Sequence, residues 1–321
     1  MLNLCIIENM NGLAPIVLFV YNRPEHTRQT LQALSDNFLA DESTLYVYSD
    51  GPKEGATEIQ LNKIAEVRNV IREKQWCREV RIIEAEKNKG LASSVIDGVT
   101  AIVNEYGRTI VLEDDLISAK GFLKYMNESL QKYESEDSVM QVSGYCLPVK
   151  DIKSDHSSFF IPVTTSWGWG TWRRAWEHLD ERAKGYEELK INAVLRRKFN
   201  LDDIYDYSGM LIAQIEGGNV DSWAIRWWWS VFRGEGLVLH PDKSLIKNFG
   251  WDGSGIHCGE KDYFYDANWK WDYYIEKWPG AVKVNEKYFR RIKKYINQTV
   301  NINLGSKKQN IFHRVINKIK K

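Results

Sequence analysis

The chain has 321 residues, of which 43% are apolar and 27% charged, a composition typical of one large α/β domain with additions or of two small domains and unlike that of a disordered protein. No run of eighteen apolar residues occurs, which argues against a transmembrane helix. The formal net charge of +1 conceals an asymmetry, because residues 283–321 carry +11 and the remainder carries −10.

The first half of the chain predicts alternating strands and helices. Continuous apolar runs predict strands over residues 14–21, 43–50, 79–86 and 108–115, and helical spacing predicts helices over 25–35, 58–74 and 91–106. This alternation is typical of βαβ units and a mostly parallel sheet. Polar residues follow the four strands at 22–23, 50–51, 87–90 and 113–115. We expect them to meet at one edge of the sheet, where such sheets bind ligands.

The second half is less regular. Strands are predicted over 139–145, 158–165 and 236–241, and helices over 186–199, 203–216 and 222–232. The segment W-G-W-G-T-W (167–172) predicts a glycine-rich aromatic loop that opens a helix, and residues 247–259 predict a second glycine-rich loop.

Three adjacent acids, Glu113, Asp114 and Asp115, end the fourth predicted strand, and a helix is expected to follow at once from Leu116. Adjacent carboxylates repel one another unless a cation neutralises them, and Mg²⁺ or Mn²⁺ prefers such oxygen ligands. A metal here leaves coordination positions for phosphate oxygens and stabilises a diphosphate leaving group. The alternative is a solvated acidic turn or helix N-cap.

Three motifs give the chain a family resemblance. F-V-Y-N-R-P lies at the first strand, Y-S-D-G-P at the second and V-L-E-D-D at the fourth. Over about residues 15–145 the chain resembles the GT-A glycosyltransferases of family 2, and its E-D-D segment is similar to that of the N-acetylglucosaminyltransferase that initiates N-glycan branching. The resemblance implies an α/β GT-A fold, Rossmann-like, with a mostly parallel central sheet flanked by helices. It implies a GT-A domain over 13–275, with a nucleotide-binding half (13–118) and an acceptor-binding half (119–275), and a basic helical extension over 276–321.

The resemblance also implies a nucleotide-sugar site. The residues implied for donor binding are Tyr21, Asn22, Arg23, Asp50, Asn88, Gly90, Leu91, Asp114 and Trp169. Those implied for the metal are Asp115, Glu113 and His257. Asp50 would accept a hydrogen bond from the base or ribose, and Gly90 would let the N-x-G-L turn approach the nucleotide closely. Turn chemistry alone is the alternative explanation for several of these residue types.

An inverting transfer needs a base that takes the acceptor's proton. In the similar enzymes a downstream carboxylate at the start of a helix does this, and Asp221 matches that position. Asp202, Asp203 and Glu216 are the weaker candidates, and an N-cap role is the alternative for Asp221.

The W-G-W-G stretch is similar to that of β-1,4-galactosyltransferases but lacks the acidic run that follows there. Trp167 or Trp169 is predicted to stack on a sugar ring, and Arg173 and Arg174 to reach a phosphate. In the second glycine-rich loop, Asn248 and Asp252 are predicted to orient the segment that carries His257.

The sequence therefore predicts a glycosyltransferase that uses Mn²⁺ or Mg²⁺ to move a sugar from a nucleotide-sugar, by resemblance a UDP-sugar, to an acceptor hydroxyl. The acceptor would be a glycan, glycolipid or lipid-linked oligosaccharide in surface polysaccharide or glycolipid synthesis. Two alternatives stay open. A sugar-nucleotidylyltransferase would need a glycine-rich phosphate loop, which Y-N-R-P-E-H-T does not supply. A non-catalytic carbohydrate-binding protein would use the 13 tryptophans to hold glycans.

The expected location is cytoplasmic. Four widely spaced cysteines without a C-x-x-C pair favour reduced thiols over disulfides or a zinc knuckle. The basic tail also carries an apolar stripe over 311–319, which predicts peripheral attachment to an anionic membrane surface at its inner face. Because the rest of the chain is acidic, no nucleic-acid partner is expected.

Overall fold

The computed structural model of the protein describes residues 12–149, 157–217, 221–251 and 269–299. The strands in these ranges are β1 (Ile16–Val20), β2 (Thr44–Ser49), β3 (Glu79–Glu84), β4 (Arg108–Glu113), β5 (Leu116–Ser118), β6 (Val139–Ser143), β7 (Ser158–Ile161), β8 (Trp169–Trp172), β9 (Leu237–Pro241) and β10 (Ile246–Asn248). The helices are α1 (Pro24–Ser35), α2 (Glu58–Val70), α3 (Leu91–Tyr106), α4 (Phe122–Lys132), α5 (Arg173–Trp176), α6 (Glu188–Ile191), α7 (Ala193–Phe199), α8 (Tyr207–Ile215), α9 (Trp223–Arg233) and α10 (286–299). Within these ranges, no helix has the length and apolar character needed to cross a membrane.

Eight strands form one mixed sheet in the order β3-β2-β1-β4-β8-β6-β9-β7. The first four are parallel, β8 runs antiparallel between β4 and β6, and β7 is antiparallel to β9 at the far edge. The predicted α/β fold with a large central sheet and flanking helices is confirmed. The carboxyl ends of β1 to β4 therefore lie at one edge, as the polar residues that follow them predicted.

The core explains why β1 is apolar throughout. All five of its residues are buried, because β1 has a strand on each side and helices against the sheet. Helix α3 packs closely here, since a Cβ on its Gly98 would come within 2.9 Å of the Phe19 ring. The N-terminus of α2 is fixed by a capping box between Thr57 and Gln60.

Two local predictions were wrong. The segment 169–172 is not a loop but the buried strand β8, in which a Cβ on Gly170 would meet Met126 and the carbonyl of Thr109 at 2.9 Å. Its glycine serves close packing rather than a turn. The acidic triplet is followed not by a helix but by β5, which pairs with β10 in a small second sheet, and a helix begins only at Phe122.

The first part of the predicted C-terminal extension is docked on the body. Tyr288, Ile292 and Ile296 of α10 are buried in a cluster with Phe199 and Leu201. The chain just before α10 also contacts the edge strand β7, where the Asn285 amide donates to the Phe160 carbonyl at 2.8 Å. The apolar side of this helix is thus already covered by protein. Residues 300–321 lie outside the described residues.

Candidate active site

The Asp50 carboxylate organises the turn between β3 and α3. Its Oδ1 accepts the backbone amides of Gly51 and Lys89, both at 2.8 Å. Its Oδ2 accepts the Asn88 side-chain amide at 2.8 Å and the Gly90 amide at 3.1 Å. The structure therefore brings three predicted donor-site residues together, the carboxylate at the end of β2 and two residues of the N-x-G-L turn.

Glycines allow this close approach. A Cβ on Gly51 would come within 2.6 Å of the Lys87 backbone, and Gly90 adopts a positive φ of 80° before the first turn of α3. A carboxylate has about four acceptor positions, and the turn uses all of them. Asp50 therefore has a structural role that its position in the sequence did not reveal. Its predicted bond to a base or ribose remains a prediction.

Replacing Asp50 with asparagine is expected to lower the free energy of unfolding by about 2 kcal/mol, because an amide nitrogen would face backbone N–H groups and leave them without an acceptor. Urea unfolding measures the change. Asp36→Asn is the matched control, since this exposed carboxylate accepts from Gln32 alone among the described residues, and its effect should stay within about 0.5 kcal/mol. Equal effects of the two variants would contradict the structural role of Asp50.

The acidic triplet lies at the end of β4 and is partly neutralised by one arginine. Arg23, which follows β1, forms ion pairs with Asp114 and with Asp115, the latter at 3.1 Å. The Asp114 and Asp115 side chains are only 6% and 9% exposed, so neither points into bulk solvent. Thr30 of α1 donates to the Asp114 carbonyl at 2.9 Å, which fixes the backbone of the triplet against that helix.

One guanidinium does not balance three acids. Burial, together with the charges of Asp115 and Asp114, raises the pKa of Glu113 to about 8. Burial also raises the pKa of Asp114, although the Arg23 charge opposes the rise. A hydrogen bond from Trp223 at the start of α9 favours the ionised form of Glu113. Burial and mutual repulsion thus oppose ionisation of these carboxyl groups, and a divalent cation would favour their ionised forms.

The loop after β10 packs closely on Asp115. Gly250 lies so close that a Cβ there would be 2.4 Å from Asp115 Oδ2, so a residue with a side chain would clash with this carboxylate. The Phe249 amide donates to the Asp115 carbonyl at 3.0 Å, and the Phe249 ring stacks on His26 at 4.8 Å. Asn248 accepts the Gly250 amide at 2.9 Å. Its predicted effect on the segment that carries His257 remains a prediction, because that segment lies outside the described residues.

The ligand set is incomplete among the residues that the structure describes, where no three His, Cys, Asp or Glu side chains meet in a metal-binding arrangement. His257 and Asp252 belong to the undescribed segment 252–268, which begins directly after Trp251. Two oxygen ligands, from Asp114 and Asp115, suit Mg²⁺ or Mn²⁺, with remaining positions for phosphate oxygens and water.

Asp221 lies beside the turn between β3 and α3, because its Oδ2 is 3.6 Å from the position of a Cβ on Gly90. Its exposed carboxylate is 3.4 Å from Arg226. The N-cap of α9 is Ser222, which accepts the Ile225 amide, so the capping alternative for Asp221 is wrong. Asp221 precedes by two residues Trp223, the hydrogen-bond partner of Glu113, so the start of α9 contacts the acidic triplet as well as the Asp50 turn.

The weaker base candidates lie elsewhere. Asp202 is paired with Lys293 of α10 at 2.6 Å, and Glu216 is paired with Lys190. Asp203 follows Asp202 in a turn of left-handed residues. None of the three has a contact with the strand ends in the described structure.

The prediction that Trp169 stacks on a sugar was wrong. Its ring is fully buried between Trp176, Trp223 and Trp227, with centroids 5.0 to 6.4 Å away, so neither face is available to a ligand. Trp167 is only partly buried and packs edge-on against Tyr145 and Trp251.

The phosphate role of Arg173 and Arg174 was also wrong. Because β8 is antiparallel to β4, its carboxyl end lies at the opposite edge of the sheet from the acidic triplet. There Arg173 donates to the Asn104 carbonyl, and Arg174 donates to the carbonyls of Tyr133, Glu134 and Val139. Both arginines therefore stabilise the end of α3 and the connection from α4 to β6, far from the site.

The remaining predicted residues lie at the site edge. Tyr21 and Asn22 follow β1 and are partly buried, and burial raises the pKa of the Tyr21 phenol near Asp50. Leu91 begins α3 and is 37% exposed. The sequence did not single out Trp223, His26, Thr30 or Gly250. Of these four residues, only Trp223 could have been found from the sequence, because it lies two residues after the candidate base Asp221.

Comparison with known proteins identifies the family. The model of "Glycosyl transferase family 2" matches residues 16–200, more than half of the chain. No curated protein sequence matches the chain.

Solved structures with a similar fold include the mannosyltransferase PcManGT from Pyrobaculum calidifontis in complex with GDP-Man and Mn²⁺ (13% identity, TM-score 0.37, covering 69% of this chain and 68% of that one). Residues 1–349 of TarS from S. aureus are also similar (13%, 0.40, 73% and 59%), as is UDP-glucose pyrophosphorylase complexed with UDP-glucose (13%, 0.29, 52% and 79%). Identities this low carry no information about the substrate of this chain. From the match of the family model, which spans β1 to β4 and the triplet at their edge, the chain belongs to glycosyl transferase family 2 and is a GT-A glycosyltransferase.

Proposed function

We propose that this enzyme transfers a sugar from a UDP-sugar to an acceptor hydroxyl with inversion at the anomeric carbon, and that it depends on Mn²⁺ or Mg²⁺. The observation that carries the proposal is the placement of three features at one sheet edge: the buried pair Asp114 and Asp115, the turn held by Asp50, and the exposed carboxylate of Asp221.

Asp115 would hold the metal. Asp114, which pairs with the same arginine, is a further candidate ligand, as are His257 and Glu113. When bound, a divalent cation supplies positive charge to the leaving diphosphate. Arg23 already bridges both aspartates and is itself 17% exposed. Its guanidinium therefore holds the two carboxylates in place and adds a second positive charge close to the position that the diphosphate would take.

The nucleotide would lie over the turn at 88–90, near Tyr21, Asn22 and Asp50. The residues of this chain would contribute by positioning the turn. Asp50 fixes the turn by accepting hydrogen bonds from the Lys89 and Gly90 amides and from the Asn88 side chain, and Gly90 leaves the space that a side chain would otherwise occupy. The preference for uridine rests on the family resemblance alone.

Asp221 would take the proton from the acceptor hydroxyl as its oxygen attacks the anomeric carbon, and the bond from that carbon to the diphosphate would break on the opposite face. Attack from the face opposite the leaving group gives inversion. The support is the position of Asp221 beside Gly90, together with the exposure of its carboxylate, which leaves it accessible to an acceptor.

The acceptor would be a glycan, glycolipid or lipid-linked oligosaccharide, bound by the half of the domain that follows residue 118. Trp167 replaces Trp169 as the proposed sugar-stacking residue. It is partly buried and packs edge-on against Trp251, the residue after Gly250, which lies close to Asp115, so the Trp167 ring lies near the candidate metal site.

Donor turnover tests the proposal. Purified protein is incubated with a panel of UDP-, GDP- and dTDP-sugars, and release of nucleoside diphosphate is measured with Mn²⁺, with Mg²⁺ and with excess EDTA. We expect release from a UDP-sugar with metal and a loss of about 100-fold or more with EDTA, since the metal stabilises the leaving group by several kcal/mol. Readdition of Mn²⁺ should restore it.

Three other outcomes separate the alternatives. Equal rates with and without EDTA would overturn the metal dependence. Turnover confined to GDP- or dTDP-sugars would overturn the uridine preference. Glycan binding without release of any nucleoside diphosphate would favour the non-catalytic carbohydrate-binding protein.

A further inference from the structure

The outer face of α10 carries a stripe of basic side chains. Lys287, Arg290, Arg291 and Lys294 are all exposed. Their spacing of three and four residues places them within about 100° of arc around the helix axis. None of the four forms an ion pair with another residue that the structure describes. The helix contains a single acid, Glu286, in its first turn.

The opposite face of α10 is anchored to the protein. Tyr288 stacks on Phe159 of β7 with centroids 3.7 Å apart, and Ile292 and Ile296 are buried in the same cluster. Lys293, at the side of the helix, pairs with Asp202. The basic stripe is therefore held on a fixed surface of the enzyme, and the helix has no free apolar face to insert into a bilayer.

We propose that this stripe is an electrostatic docking surface for a bilayer that contains anionic lipid. The charge of the chain supports this occupant. Residues 283–321 hold twelve basic residues and one acid, while the rest of the chain has a net charge of −10. A flat anionic surface can contact four cations on one exposed helix face without approaching the acidic body. A nucleic acid wrapping the protein would meet that body.

The stripe has a fixed orientation on the enzyme. The helix presents its charge outward, because its apolar side is packed on β7 and α7. Binding through the stripe would thus set the orientation of the whole enzyme on the surface.

Vesicle co-sedimentation of the full chain tests the proposal. Vesicles of phosphatidylcholine alone are compared with an equal mixture of phosphatidylcholine and phosphatidylglycerol. Wild type should bind only the anionic vesicles, and binding should weaken strongly between about 0.1 M and about 0.5 M salt because salt screens exposed charges. The double variant Arg290→Glu/Arg291→Glu should lose about tenfold or more in affinity.

Lys63→Glu/Arg78→Glu is the matched control. Both residues are exposed, Lys63 on α2 and Arg78 just before β3, and β3 is the edge strand on the other side of the sheet from β7. The two double variants change the total charge by the same amount. The control should bind anionic vesicles like the wild type. Both variants should keep the wild-type thermal midpoint and release of nucleoside diphosphate in solution.

Equal binding of anionic vesicles by the two double variants would overturn the proposal, because binding would then depend on net charge or on the residues after α10 and not on the stripe. The proposal would also be overturned if the wild type bound neutral vesicles as strongly as anionic vesicles. So would tighter binding to an RNA oligonucleotide than to anionic vesicles, which would identify a different partner.

Discussion

Asp115→Asn is expected to abolish metal-dependent donor binding while the fold stays intact. The variant removes one of the two carboxylates bridged by Arg23, and Asp114 keeps its own ion pair with that arginine. Asparagine has nearly the same shape, so the close contact with Gly250 is preserved. The cation, however, loses a charged oxygen ligand. Since metal stabilisation of a leaving group is worth several kcal/mol, we expect kcat/KM to fall about 1,000-fold.

Calorimetric titration with the UDP-sugar, in Mn²⁺ and then in EDTA, measures the effect on binding. In the wild type the donor should bind more tightly with Mn²⁺, and in Asp115→Asn the two titrations should coincide. Asp137→Asn is the control, because this exposed carboxylate precedes β6 at the opposite edge of the sheet. Unchanged metal-dependent donor affinity in Asp115→Asn, with a normal unfolding curve, would refute the metal role.

The sheet edge was predictable because it depends on local patterns. Apolar runs separated by helical segments specify parallel βαβ units, and in such units the residues after each strand must lie at one edge. Asn22, Asp50, Asn88 and Asp115 came to that edge for this reason. No long-range information was required.

The second half of the sheet was not predictable in the same way. Strand β8 enters the sheet antiparallel between β4 and β6, and its W-G-T-W sequence has the glycine content of a loop. The packing of Gly170 against Met126 and the Thr109 carbonyl explains the glycine. Once that strand is misplaced, Trp169 is placed at the surface instead of the core, and Arg174 at the wrong edge of the sheet.

The role of Asp50 shows a different limit. A sequence indicates which side chains end a strand, but not which backbone amides will face them. Four N–H groups converge on this carboxylate from residues 51 and 88–90. The residue predicted to contact the nucleotide therefore also positions the turn that would bind it. Mutation of Asp50 would change both properties, whereas Asp115 and Asp221 allow cleaner tests.

The Asp221 carboxylate is well suited to such a test because it is exposed and makes one long contact with Arg226. Asp221→Asn keeps the shape of the side chain but cannot accept the acceptor's proton. We expect kcat for transfer to fall about 100- to 10,000-fold, the range typical for loss of a general base, while donor affinity measured by titration stays within about threefold. A stability change below about 0.5 kcal/mol is expected for an exposed residue that is not the helix cap.

Ser222→Ala separates a catalytic role from a structural one, because Ser222 is the residue that caps α9. This control should cost about 1 kcal/mol of stability and retain most of its turnover. Loss of transfer in Asp221→Asn alone, with the helix cap intact, assigns the effect to the carboxylate. Near-normal transfer by Asp221→Asn would eliminate it as the base. Because the proton would then have to leave through another group, product analysis by NMR would follow, and retention of anomeric configuration would replace the inverting mechanism with one that needs no base at this position.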